Sequence, residues 1–558
     1  MVRRIFNLFH REFSGLHEAA YLLGTFALLS QVLGLARDRL LAHSFGASHA
    51  LDMYYAAFRI PDFLFVSIAS FASATVIVPF FIEKKNQSES DAKKFLNDIF
   101  TVFCLAMIFV SALIFVLMPA LSELVVPGFS KADQAELVFL SRILLLSPFL
   151  LGLSNFIGSV TQSVNKFFVF ALGPVLYNVG IIVGILAWTP AFGITGVVWG
   201  VILGAILHLF VQLPVVAREG FFPKFSRSVN FANIKKVVML SLPRTLALSV
   251  GNISVLVLIT FASLISEGSI SIFQFSFNLQ SVPLSIIGVS YSVAAFPTLS
   301  RLFAGGEREK FTEHVTNAAK HIIFWSLPVV FLFIVLRAQI VRVILGSGKF
   351  NWDDTRLTAA GLAIFTVSLV AQSIVLLFTR SYYAAGKTRK PLYINVISSA
   401  FIVALAFLFI RTVGVGSDIK LFLDSLLKVD DIAGTSVLLL PLAYTIGTIL
   451  NAALLWGYFQ KDFGGFTKKV SRAFWESLSA SFAIGVVSYN FLKIFAAIFD
   501  LNTFVGVFLQ GFLAGISGIV AGVIVLILLK NPEFETVRAS LHHKFWKAKP
   551  VSPGQEQV

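Results

Sequence analysis

The chain has 558 residues, 57% of them hydrophobic and only 13% charged, with 59 phenylalanines and a formal net charge of +15 at pH 7. A soluble domain is about a quarter charged, so this composition excludes an ordinary soluble fold and points to an all-α polytopic membrane protein. The single cysteine, Cys104, excludes an internal disulfide and provides no cluster for a structural zinc.

The opening stretch MVRRIFNLFHREF reads as part of a basic tail, 1–19, with no cleavable leader. Crossing the hydrocarbon core takes about 20 apolar residues in a helix. Fourteen such stretches follow, at about 20–44, 52–82, 97–119, 137–162, 167–189, 193–216, 237–265, 269–299, 318–340, 358–385, 391–411, 434–457, 473–496 and 502–529. The roughly ten-residue alternating segments of a membrane barrel are missing. With the N-terminus inside, the loops expected in the cytoplasm hold 29 Lys and Arg and those outside hold 8. This is the positive-inside asymmetry, and it predicts both termini in the cytoplasm. The cations are scattered over short loops, so no nucleic-acid partner is expected.

The first stretch carries Arg37, Asp38 and Arg39 near its end. Ionisable groups within a span are costly and face a cavity or a partner. Two residues apart on a helix is about 200° around the axis, so Arg37 and Arg39 cannot share one narrow cavity. Arg37 is expected inward and Arg39 at the interface, its stem snorkelling. An ion pair of Arg37 with Asp38 or Asp52 is the competing reading. The second stretch holds Asp52 and, seven residues on and on nearly the same face, Arg59. Pro61 follows and is expected to break the helix. The seventh contains Arg244 directly after Pro243, and the eighth contains the polar Asn278 and Gln280, which could bond sugar, pyrophosphate or a neighbouring helix. Arg380, ahead of the KTRK turn, is expected among lipid headgroups. The loop at 412–433 bears Asp418, Asp424, Asp430 and Asp431 without calcium-loop spacing, and these read as solvated charge.

Two pairs of similar segments suggest a duplication. SFASATVIVPFF ends the second stretch and VSYSVAAFPTLS the eighth, with Pro79 and Pro297 separated by 218 residues. GPVLYNV and KPLYINV place Pro174 and Asn178 at 217 residues from Pro391 and Asn395. Six spans separate the equivalents, so the halves share one orientation about an axis along the membrane normal.

The run LSQVLGLARDRLLAHSFGASHALDMYYAAFRIPDFLF, followed in order by PGF, PVLYN, QLP, LPRTLALSVGN, GSGKF and RSYYAAGKTRKP, resembles the MurJ (MviN) lipid II flippases of the multidrug/oligosaccharidyl-lipid/polysaccharide exporter superfamily. The resemblance implies two six-helix lobes around a central cavity, an N-lobe at 20–232 and a C-lobe at 233–469. It adds a lipid-groove pair of helices at 470–530 and a cytoplasmic tail at 531–558. It implies export of undecaprenyl-pyrophosphate-linked peptidoglycan precursor across the bacterial inner membrane by alternating access. The implied protein is a transporter and not an enzyme, has no cofactor beyond a coupling Na+ or H+, and acts as a monomer among membrane lipids and cell-wall synthesis proteins. Arg37 matches the family's cavity arginine in ARD, and Arg59 the basic residue of A-F-basic-x-P. With Arg244 they form the expected pyrophosphate site, because arginine presents a rigid fork to phosphate oxygens. Asp38, Asp52, Asn278 and Gln280 are the expected cavity polar or ion-coupling groups.

The chain departs from the family where Gln31, Phe65, Val66, Ser70, Asn278 and Ser281 replace charged residues. Those losses leave open an exporter of another lipid-linked oligosaccharide or a cation-coupled drug exporter. A membrane-embedded glycan polymerase or ligase would need positioned acid, base or metal groups, and neither H-E-x-x-H nor a nucleotide-binding glycine motif is present.

Overall fold

A computed structural model describes residues 16–68, 74–412 and 417–546, excepting the side chains of 16–21, 74–76, 240, 243, 244, 246–248 and 540–546. Every regular element among the described residues is helical. Hydrocarbon demands this, since each backbone N–H and C=O must then be satisfied within its own segment. Ten helices among them are long and apolar enough to cross a membrane, or eleven if Trp352–Val367 and Leu369–Ala384, bent by 44°, count as one span. Three of the fourteen expected spans fall outside that number. The first is the helix Leu16–Phe45 with its three charges, and the second is divided at Phe58 into His49–Ala57 and Arg59–Ile68, with Ala74–Gln87 described beyond. The seventh lies on Phe231–Ala262, of which Ser249–Ala262 is a shorter apolar stretch among the described residues.

Local sequence explains the division of the second span. Pro61 has no N–H to offer the Ala57 carbonyl, and the helix breaks at Phe58, with Asp62 N–H returning to the Phe58 carbonyl at 2.8 Å. Arg59 thereby opens a new helix. In the eighth span Pro283 precedes a single π-helical turn, Ser285–Val289, between Ser269–Leu284 and Ser290–Ala304. Such one-turn widenings recur at functional sites.

Contacts divide the chain into two units. The first comprises Met1–Leu279, Ile344–Phe365 and Thr388–Thr448. Within it Leu16–Phe45 packs on Phe167–Val183, and Phe231–Ala262 packs on Arg389–Thr412. The second pairing repeats the first six spans later, as a duplication at 217 residues requires. Phe231–Ala262 also packs against Arg59–Ile68. The second unit comprises Gln280–Val343, Thr366–Lys387 and Ile449–Val558. There Phe466–Ala496 packs against both Phe504–Leu528 and Arg308–Val335. Phe324, Ala480 and Leu526 join them in one buried cluster, on which Phe534 and Val537 of the last helix rest.

The loop at 412–433 corrects an expectation. It contains the helix Asp418–Leu427, and Asp424 is buried there and not solvated. Lys420 Nζ and Thr435 Oγ1 each donate to its carboxylate at 2.9 Å. Asp431 is tied to Arg356. Both carboxylates have cationic partners: Lys420 is one turn from Asp424 on the same helix, whereas Arg356 lies 75 positions from Asp431, a separation that spacing does not reveal.

Candidate functional site

Arg37 and Asp38 form an ion pair between neighbours, Arg37 Nη2 standing 2.8 Å from Asp38 Oδ1 and Nε donating to the same oxygen at 3.0 Å. The Asp38 side chain is 5% exposed and that of Arg37 is 23% exposed. Arg37 has one more partner, for Nη1 donates to Asn178 Oδ1 at 3.2 Å. Asn178 is itself oriented by donating to Ser30 Oγ at 3.2 Å and to the Pro174 carbonyl at 3.1 Å. The repeated P-x-x-x-N element thus positions the arginine of the first span.

From Asp38 the network runs on into the eighth span. Asn278 Nδ2 donates to Asp38 Oδ2 at 3.0 Å, and Gln274 Nε2, one turn earlier on the same helix face, donates to Asn278 Oδ1 at 2.7 Å. Gln274 Oε1 then accepts from Arg59 Nη2. Asn178, Arg37, Asp38, Asn278, Gln274 and Arg59 therefore form one hydrogen-bonded chain with a guanidinium near each end. Arg59 Nε is buried without a hydrogen-bond partner, so that fork is incompletely used. Asp62, three residues after Arg59 and exposed, adds a carboxylate within its electrostatic reach.

Asp52 stands apart from this chain. It is 2% exposed and caps the start of Ser269–Leu284. Its Oδ2 accepts from Gly268 N–H at 2.7 Å, and its Oδ1 accepts from Ser271 N–H at 2.7 Å and Ser271 Oγ at 2.6 Å. A carboxylate at a helix N-terminus satisfies otherwise unpaired donors and complements the helix dipole. Around it three turns meet backbone to backbone. Gly46 has φ +67°, and a Cβ there would lie 2.7 Å from the Lys349 carbonyl oxygen. Gly348 has φ +61°, and its Cβ would lie 2.4 Å from the His43 carbonyl oxygen, which accepts Lys349 N–H at 3.0 Å. The FGA and GSGKF segments singled out in the sequence are thus the two sides of one contact. Asp354 Oδ2 accepts Ala47 N–H at 3.2 Å, and His49 pairs with Asp133 at 3.0 Å.

The other expected residues are placed separately. Arg39 Nη1 donates to the Ile344 carbonyl at 3.3 Å. Gln280 is fully buried and accepts from Gln372 Nε2 at 3.1 Å. Arg244 lies on the helix Phe231–Ala262, with its side chain outside the described residues, and Ser70 itself lies outside them. Sequence reasoning missed Gln274 and Asp62, and it did not connect Asn178 with Arg37. Gln274 had a signal, its four-residue spacing from Asn278.

Bundled helices with a recurring pairing pattern, half-buried cations joined through amides and a carboxylate, and turns that meet backbone to backbone define a helical membrane transporter. A structure of a multidrug resistance MATE family transporter of the MOP superfamily, in an inward-facing conformation, shares the fold at TM-score 0.64, with 15% identity over 78% of this chain and 96% of that one. The lipid II flippase MurJ family profile matches residues 41–509, and the chain belongs to that family. The probable lipid II flippase MurJ of Rickettsia prowazekii (strain Madrid E) is 29% identical over 391 residues, 69% of this chain and 76% of that protein. The lipid II flippase MurJ of Burkholderia cenocepacia is 26% identical over 380 residues, covering 66% and 74%. A lipid II flippase MurJ structure in an inward closed conformation aligns at TM-score 0.73 and 24% identity, over 92% of this chain and 100% of that one.

Proposed function

We propose that the chain exports lipid II, the undecaprenyl-pyrophosphate-linked peptidoglycan precursor, across the bacterial inner membrane by alternating access. Family membership supports the cargo. The observation that carries the site is the single hydrogen-bonded chain linking Arg37 to Arg59 through Asp38, Asn278 and Gln274. Arg59 is held by a neutral amide, and Arg37 by one amide beside its carboxylate. A pyrophosphate pairs negative oxygens with the guanidinium charge and can be held bidentately by each fork, so it displaces the amides and keeps the cations. Arg244, on the helix that packs against Arg59–Ile68, supplies a third fork. Asn278, standing where the family carries charge, relays the change at Asp38 to the eighth span.

Asp52 acts in this reading as a latch. It holds the start of the eighth span closed against the turn that ends the first. The charge asymmetry of the loops assigns that end to the outside and both termini to the cytoplasm. The lobes at 20–232 and 233–469 rock about the site, and the pair at 470–530 guides the lipid tail. A coupling Na+ or H+, with Asp38 as its carboxylate, is the alternative to drive by membrane potential.

Bacteria depleted of their own lipid II flippase test the reading. Rescue by the unaltered chain, lost in Arg37→Gln, Arg59→Gln and Arg244→Gln at unchanged membrane levels, is the expected result. Failure of the unaltered chain to rescue despite its presence in the membrane would falsify the cargo, and rescue by all three variants would remove the phosphate site.

A further inference from the structure

The helix Asp418–Leu427 is inside out for an element exposed to water. Ile419, Phe422 and Leu426, at i, i+3 and i+7, share one face and are 58%, 68% and 60% exposed. The opposite face carries Lys420 and the buried Asp424, bonded to each other and to Thr435. Ser417 caps the helix start by accepting Lys420 N–H, and Lys428 ends it with φ +61°. Arg356 clamps the far end, with Nη1 donating to Asp431 Oδ2 at 2.7 Å and Nη2 to the Lys428 carbonyl. The polar side is thus fastened inward at several points, and the apolar side faces away from the chain.

The flanking elements identify what covers that side. Arg389–Thr412 and Thr435–Phe463 are both long and apolar enough to cross a membrane, so the short helix is strung between two span ends at one membrane face. Arg411 lies over the Phe407 ring, 4.9 Å from its centroid, as a cation does when it snorkels from the end of a span toward headgroups. Phe407 and Leu408 near the end of that span are themselves exposed.

We propose that Asp418–Leu427 lies along the membrane surface, with Ile419, Phe422 and Leu426 seated among the lipid chains at the headgroup boundary. A helix with apolar residues on one face and charges on the other binds membranes in this plane. Here Lys420 and Asp424 point into the protein instead of into water, so the helix fixes the depth of the spans attached to it. Through Arg356 it also fixes the start of Trp352–Val367.

The test uses spin labels. In a Cys104→Ala background, which removes the one native cysteine, Ile419→Cys, Phe422→Cys, Leu426→Cys and Asp430→Cys are labelled singly. The full chain is then reconstituted in phosphatidylethanolamine and phosphatidylglycerol vesicles. Collisions with lipid-soluble oxygen should exceed those with a water-soluble nickel chelate several-fold at 419, 422 and 426, and the ratio should reverse at 430. Nickel access at 422 and 426 equal to that at 430 overturns the proposal by placing the helix in water. Exclusion of both reagents from 422 and 426 also overturns it, since a protein surface would then cover the face.

Discussion

Arg59 donates to Gln274, whereas Arg37 rests against the carboxylate of Asp38 at 2.8 Å. The difference separates their expected variants. Arg59→Lys keeps charge but loses the fork, so rescue should fall to a partial level, while Arg59→Gln should abolish it and Arg39→Gln should leave it nearly intact. Removing one partner of a buried ion pair costs about 3–5 kcal/mol. Asp38→Ala should accordingly lower the melting temperature of the purified protein, with Asp38→Asn intermediate because its amide still faces Asn278. A melting temperature unchanged in Asp38→Ala would mean that Arg37 finds other compensation. At this scale the sequence announced the charges by their cost in an apolar run, and Pro61 by its missing donor. It was silent on Gln274 as the partner of Arg59, because helical spacing reports neighbours on one helix and not the residue 215 positions away that meets them.

The eighth span shows how an element carries the site. Ser269–Leu284 is pinned at its start by Asp52, presents Gln274 and Asn278 to the arginines, and ends in the π turn after Pro283. A shift at the amides can therefore be taken up at the π turn without unfolding the pinned end. Pro283→Ala restores a backbone donor and should straighten this joint, slowing transport while protein levels hold. Equal transport rates in the variant and the parent would remove the joint from the mechanism. Asp52→Ala leaves two backbone N–H groups and one hydroxyl unpaired, at about 1–3 kcal/mol for each buried group. The expected outcome is a longer and broader distance distribution between spin labels at Ser48 and Ser266. Apolar stretches and charge made the helices legible. The capping of one span by a carboxylate from another was not, since Asp52 and Ser271 are joined only by the tertiary fold.

Across the whole molecule the question is what drives an anionic headgroup outward. One charge crossing 100 mV is worth about 2.3 kcal/mol, so the two charges of a pyrophosphate gain about 4.6 kcal/mol from a potential that is negative inside. Collapsing the potential in vesicles should stop export, and removing ATP at constant potential should not. Export that persists at zero potential and fails when a sodium or proton gradient is dissipated would transfer the drive to an ion. Deleting 470–558 removes helices that pack on Arg308–Val335, yet apolar surfaces uncovered within lipid carry little penalty. The truncated chain should still insert and should lose lipid-linked cargo. The helical membrane fold was the most legible property of the sequence, because hydrocarbon sorts residues by polarity over whole segments. The meeting of the turns at Gly46 and Gly348 was not legible, because the contact is made of main chain. That has a consequence for how the protein is disabled. Main chain meets main chain at these two glycines, with the Asp354 carboxylate holding Ala47 N–H beside them, so a single methyl group acts as a doorstop. Gly348→Ala, with its Cβ 2.4 Å from the His43 carbonyl oxygen, should hold this end ajar, leaving a protein that is inserted, stable and stalled halfway through its cycle.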